Sequence, residues 1–105
     1  MTKEQFEDIA KWQRAIFGEA TALSKLSHLN EELHELWDEL ILGNKERALT
    51  EFADCFILLF GAADQYGMTY ENICKAIDEK TVINKNRKWG IPKENGVVNH
   101  IKQNH

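Results

Sequence analysis

The sequence predicts an all-α protein, a four-helix up-and-down bundle completed by oligomerisation, and three observations predict it. Apolar residues recur at three-four spacing through four successive segments, the mark of helices with one buried face. One proline and six glycines among 105 residues leave too few turn formers for a sandwich or barrel. The chain is also short, and small chains bury a limited share of their surface, so association with further copies is a natural way to complete the core. One domain is expected over residues 1–105. The 43% hydrophobic and 29% charged content excludes wholesale disorder.

Phe6, Ile9, Gln13, Ile16 and Phe17 mark the first helix, and Gly18 can stop it. A second helix begins after Thr21 or Ser24. Its stripe is Leu26, Leu29, Leu33, Leu36, Trp37 and Leu40, and it ends at Gly43. Asn44 is a good N-cap for a third helix running to about Tyr66, with Gly67 placed for a left-handed stop. Thr69 caps a fourth helix with Tyr70, Ile73 and Ile77 on its apolar face. That helix is expected to continue to about Trp89, with Trp89 packing its end, before Gly90-Ile91-Pro92 breaks it. The stretch from Gly90 to His105 has no periodicity and is expected to wrap or to move.

The third helix is unusual. Phe52, Cys55, Phe56, Ile57, Leu58, Leu59 and Phe60 surround it with apolar side chains, and a helix apolar on every side is buried. Burial between subunits, in a homodimer or homotetramer, is the expectation. The run from Phe52 to Ala63 is interrupted by Asp54 and falls short of the roughly 20 apolar residues of a membrane span, so no membrane partner is expected. Met1-Thr2-Lys3-Glu4 opens no signal-peptide run, and Cys55 and Cys74 have no ligand-like spacing. Both cysteines read as small core residues in a reducing cytoplasm.

A net charge of −4 speaks against a nucleic-acid partner. Its distribution says more. Residues 1–79 hold 7 Lys/Arg against 16 Asp/Glu, whereas residues 80–105 hold 6 against 1. An acidic body followed by a basic segment suits metal cations held together with an anionic ligand. Charge balancing between neighbouring surfaces reads the same pattern equally well.

The acidic residues have a register. Glu32 and Glu35 lie three apart on the second helix, and Glu51 and Asp54 three apart on the third, so each pair shares a helix face. In an antiparallel hairpin, residues equidistant from the turn sit side by side. Glu32 with Asp54, and Glu35 with Glu51, both centre on Gly43, where the turn signals place the reversal. Four carboxylates are therefore expected to converge at one level. Such crowding is costly through repulsion and desolvation, and it is relieved by protonation, basic partners or metal ions. Hard oxygen donors suit Mg²⁺ or Mn²⁺. The plain alternative is a solvated acidic face with Asp54 as a local acceptor. Downstream, Lys80, Asn84 and Arg87 follow i, i+4, i+7 spacing and form a surface suited to phosphate oxygens. Alternatively they are an exposed basic helix end that complements the helix dipole.

Glu31-Glu32-x-x-Glu35 followed by Glu51-x-x-Asp54 resembles the EExxE…ExxD signature of the all-α nucleoside triphosphate pyrophosphatases, the MazG-like superfamily. Lys80-x-x-x-Asn84-x-x-Arg87-x-Trp89 also looks like that group. The chain is most similar to the phage and bacterial dATP/dGTP diphosphohydrolases, on stretches such as Trp12-Gln13, Glu51-Phe52-Ala53-Asp54-Cys55 and Asn84-Lys85-Asn86-Arg87-Lys88-Trp89-Gly90. The resemblance implies hydrolysis of a deoxynucleoside triphosphate to the monophosphate and pyrophosphate. It implies Glu32, Glu35, Glu51 and Asp54 as Mg²⁺ ligands, with Glu31 in a variable slot. It implies Lys80, Asn84 and Arg87 as triphosphate contacts, and assembly as dimers or dimers of dimers. On charge grounds Glu35 is the candidate to orient or deprotonate the attacking water, and Lys80 and Arg87 to stabilise the leaving pyrophosphate.

Trp12, Trp37 and Phe17 are candidates to stack on a base, with Gln13, Lys25 or His28 reading its edge. Trp12 and Trp37 resemble aromatic positions used by related pyrophosphatases. The same side chains also serve as plain core. Two rival functions compete with this one. A ferritin-like di-iron bundle needs two Glu-x-x-His elements, and only Glu31-x-x-His34 is present. A non-catalytic helical interaction module needs only that the acids be solvated.

Overall fold

The structure is a computed structural model that describes residues 1–101; the part of the expected tail at residues 102–105 lies outside the described residues. Four helices form among the described residues: α1 (Lys3–Ile16), α2 (Ala22–Leu42), α3 (Lys45–Gln65) and α4 (Tyr70–Lys85). No strand is present among the described residues, so the protein is all-α. No described helix is long and apolar enough to cross a membrane.

Local chemistry sets most boundaries. The Thr2 hydroxyl accepts from the Gln5 backbone N–H at 3.1 Å, and the Gln5 side chain accepts from the Thr2 N–H at 2.9 Å. Thr21 and Ser24 repeat this reciprocal cap at the start of α2, at 3.0 and 2.9 Å. Gly43 closes α2 in the left-handed conformation at φ +71°, and the Asn44 side chain then accepts from the Arg47 N–H at 3.1 Å to open α3. A link this short forces α2 and α3 into an antiparallel hairpin.

Two compact units result, one spanning Met1–Tyr70 and one beginning at Glu71. In the first, α3 packs against both α2 and α1. Leu36, Ala48 and Cys55 form the α2–α3 core, joined by Leu29. The Phe6 ring meets Phe60 edge-on at 6.0 Å, and Ala10 and Ala62 are buried near it. α1 meets α3 at Gly61, where the Gln13 side chain fills the space a Cβ would need.

Three details refine the expected elements. α4 ends at Lys85 instead of continuing to Trp89, because the Asn84 carbonyl is taken by the Arg87 N–H at 3.2 Å and by the Trp89 indole N–H at 3.0 Å. The stretch after Gly90 is not featureless. Gly90 N–H donates to the Asn99 carbonyl at 2.8 Å and Ile101 N–H to Lys88 at 2.6 Å, a short antiparallel return that turns at Gly96, φ +83°. Within one chain, α3 is not buried all round. Leu49, Phe52, Phe56 and Leu59 are exposed, because three helices of this length cannot cover every face.

Candidate active site

One carboxylate oxygen from each of Glu32, Glu35 and Glu51 lies within 4.8 Å of the others. The hairpin brings them together as the register requires, and Glu39 with Arg47, also equidistant from the turn, approach to 4.0 Å. Glu32 and Glu51 are half-buried, whereas Glu35 is exposed. Burial raises the pKa of Glu32 to about 7, reinforced by hydrogen bonds to the Glu35 and Glu51 side chains and then by their negative charge. Glu51 Oε2 is buried without a hydrogen-bond partner.

Of the four acids expected to converge, three bring an oxygen within that distance of one another. Asp54, half-buried on α3, is not among the acids whose oxygens lie that close. It remains in the same field: the buried Cys55 thiol is pushed up by burial and by the charges of Glu32, Glu51, Asp54 and Glu35. The three grouped side chains are all glutamates, so the donor set they offer is oxygen alone. Hard oxygens around an orphaned buried carboxylate oxygen fit a divalent cation of the Mg²⁺ or Mn²⁺ type.

A second group lies along α2. His28 Nε2 sits 3.4 Å from Glu32 Oε1, and His28 also lines a cleft with Phe17, Ala20, Ser24, Lys25 and Leu58. From its wall, Lys25 Nζ donates to Gln13 Oε1 at 2.7 Å, and Gln13 Nε2 donates to the Ile57 carbonyl at 3.0 Å. Gln13 is only 3% exposed and Lys25 only 5%. Burial lowers the Lys25 pKa, and the charge of Asp64 opposes this. The Lys25 ammonium lies over the Phe17 ring, 5.2 Å from its centre, and Trp12 meets the same ring edge-on at 5.7 Å. Trp12 is 54% exposed, and Trp37, three turns beyond Lys25 on α2, is 68% exposed.

The basic segment belongs to the second unit. Lys80 and Asn84 are on α4, and Arg87 lies just past its end. Arg87 stays beside Asn84 because its Nη1 donates to Asn84 Oδ1 at 3.2 Å.

The sequence profile of the dATP/dGTP pyrophosphohydrolases matches residues 5–105, almost the whole chain. The chain belongs to the dATP/dGTP pyrophosphohydrolase family. This pyrophosphohydrolase is similar in structure to the cyanophage S-2L MazG-like pyrophosphohydrolase, solved with dGDP and three catalytic Mn²⁺ ions per active site. The TM-score is 0.75 and the identity 27%, over 97% of this chain and 99% of that one. No curated protein matches the chain. The pyrophosphohydrolase is thus an enzyme that acts on nucleoside triphosphates, and both rivals, di-iron bundle and interaction module, are set aside.

Two features of the pyrophosphohydrolase escaped the sequence reading. The Glu39–Arg47 pair obeys the same equidistance rule as the acids and was findable that way. The His28–Glu32 contact, an i, i+4 pair, was signalled by spacing alone.

Proposed function

We propose that the enzyme hydrolyses a purine deoxynucleoside triphosphate, dATP or dGTP, to its monophosphate and pyrophosphate, with Mg²⁺ or Mn²⁺ held by Glu32, Glu35, Glu51 and Asp54. The observation that carries this reading is the carboxylate trio with its orphaned Glu51 oxygen. Three acids are crowded where protein donors leave one oxygen unsatisfied, an arrangement that a divalent cation stabilises. When bound, the metal neutralises phosphate charge and acidifies water.

The remaining work falls to the chain. Glu35, the exposed member of the trio, orients the attacking water and accepts its proton at the carboxylate. Lys80, Asn84 and Arg87 take phosphate oxygens, and the Lys80 and Arg87 side chains stabilise charge on the departing pyrophosphate. Trp12 is the stacking surface for the base, with Gln13 acting through Lys25. Trp37, two residues past Glu35 on α2 and exposed, is a second aromatic surface offered to the base. Both compact units act as one catalytic domain, a reading supported by a family match that runs through both. The enzyme assembles as a homodimer or homotetramer, supported by the exposed apolar face of α3. Two unpaired cysteines suit a reducing cytoplasm.

The test is pyrophosphate release from a panel of nucleoside triphosphates with Mg²⁺, with Mn²⁺ and with chelator. dATP or dGTP is expected to lead, and chelator to stop turnover. Glu35→Ala and Asp54→Ala are each expected to lower kcat/KM by about 100-fold or more while the helical circular dichroism is kept. Near-wild-type activity in either variant refutes the assignment of that residue.

A further inference from the structure

We propose that Lys25 reads the nucleobase: held by Gln13 in the cleft beside the carboxylates, its ammonium selects a base edge bearing two acceptors, that of guanine, over the mixed edge of adenine. The inference rests on the reading above, that a purine nucleotide places its phosphates at the acidic trio.

Gln13 and Lys25 are the two buried polar side chains among the described residues. A buried ammonium is costly unless its protons are used. Lys25 has three N–H donors and spends one, on Gln13 Oε1 at 2.7 Å. The Phe17 ring at 5.2 Å and the charge of Asp64 support the cation without taking a hydrogen bond. Two donors are left for the cleft that Lys25 lines.

That cleft suits a flat aromatic ring. It is an open cleft with a cavity of about 90 Å³, so a ring lies partly in its mouth, and its walls are Phe17, Ala20 and Leu58 with Ser24 and His28 as further polar groups. Few polar groups on an apolar lining is the usual make-up of a small-molecule site. The cleft also adjoins the acids, because His28 lines it and touches Glu32 at 3.4 Å. Lys25 and Glu32 are seven residues apart on one face of α2, two turns or about 10 Å. Phosphates at the acids and a base at Lys25 match an extended nucleotide laid along the helix.

Gln13 is a positioning residue. Its Nε2 is engaged by the Ile57 carbonyl at 3.0 Å, so Oε1 must face Lys25. The missing Cβ at Gly61 makes room for this amide. With one Lys25 proton fixed, the directions of the others are fixed too. Guanine offers N7 and O6, both acceptors, whereas adenine offers N7 beside an amino donor. A second ammonium N–H facing that amino group has no partner, and a donor stranded in a buried cleft is penalised.

The experiment compares kcat/KM for dGTP, dITP, dATP and 7-deaza-dGTP with Mn²⁺. The wild type is expected to favour dGTP and dITP over dATP by about tenfold or more, and to lose much of that preference with 7-deaza-dGTP. Lys25→Met is expected to bring the dGTP to dATP ratio to within about twofold. Because a merely structural lysine affects both substrates alike, the ratio is the diagnostic quantity. Calorimetric titration of the Mn²⁺-loaded protein with dGDP and dADP reads the same preference without turnover. A dGDP preference in a protein that hydrolyses neither triphosphate would uphold this inference while refuting the proposed activity. A wild type that treats both purines alike or prefers adenine overturns it, as does a folded Lys25→Met protein with its preference intact. Should Lys25→Met fail to fold, the analogue series on the wild type decides alone.

Discussion

Glu32 bears the electrostatic cost of the site. Its pKa is raised from 4.5 to about 7, first by burial and then by the Glu35 and Glu51 side chains. In the window between those two values the folded chain holds a proton that the unfolded chain has released. Stability is therefore complete below about pH 4.5 and falls as pH rises through about 7, by on the order of a few kcal/mol at this one group. The metal-free thermal midpoint, followed by circular dichroism, is expected to drop between pH 5 and 7.5, and Mn²⁺ at pH 7.5 to restore it. Glu32→Gln is expected to flatten the slope, to raise the metal-free midpoint at pH 7.5 and to abolish the Mn²⁺ response. An unchanged slope in that variant would show that the acids are not crowded in solution.

At the scale of elements, two glycines hold the helices in register for different reasons. Gly43 lies at φ +71° with nothing within 4 Å of a added Cβ, so its requirement is conformational only. Gly43→Ala is expected to cost about 1 kcal/mol in urea denaturation, with the site chemistry intact. Gly61 has ordinary helical conformation, but a Cβ there collides with the Gln13 amide. Gly61→Ala is expected to cost roughly 1–3 kcal/mol, because Gln13 must abandon Ile57 and Lys25. A neutral Gly61→Ala would mean that α1 lies further from α3. The first glycine was legible from its place between two apolar stripes. The second reads as an ordinary helical residue, since its role depends on a side chain 48 positions earlier.

For the molecule as a whole, exposed apolar area is the dominant feature. Leu40, Leu49 and Phe52 line a groove of about 480 Å³ with Lys45, Glu46 and Ala48, and Phe56 and Leu59 lie exposed further along α3. Leaving so much of a central helix in water is unfavourable at about 25 cal/mol per Å². Sedimentation is expected to show a dimer or tetramer at micromolar concentration, and Phe56→Glu to shift it toward monomer with a lower thermal midpoint. A wild type that sediments as a monomer would refute the oligomer.

Helix number, caps and the α2–α3 register are short-range matters, and the order of residues is enough for them. A threonine followed three places later by a matching side chain caps a helix in any context. Glu35 and Glu51 meet because both lie eight residues from Gly43. Burial and reach are different, since they depend on everything else that occupies the space. That Glu51 keeps an oxygen without a partner depends on how α2 and α3 pack, and that Gln13 and Lys25 go inside together depends on α1 and α3 meeting at Gly61. Desolvation is a sum over neighbours distant in the chain, and no local pattern of residues contains that sum.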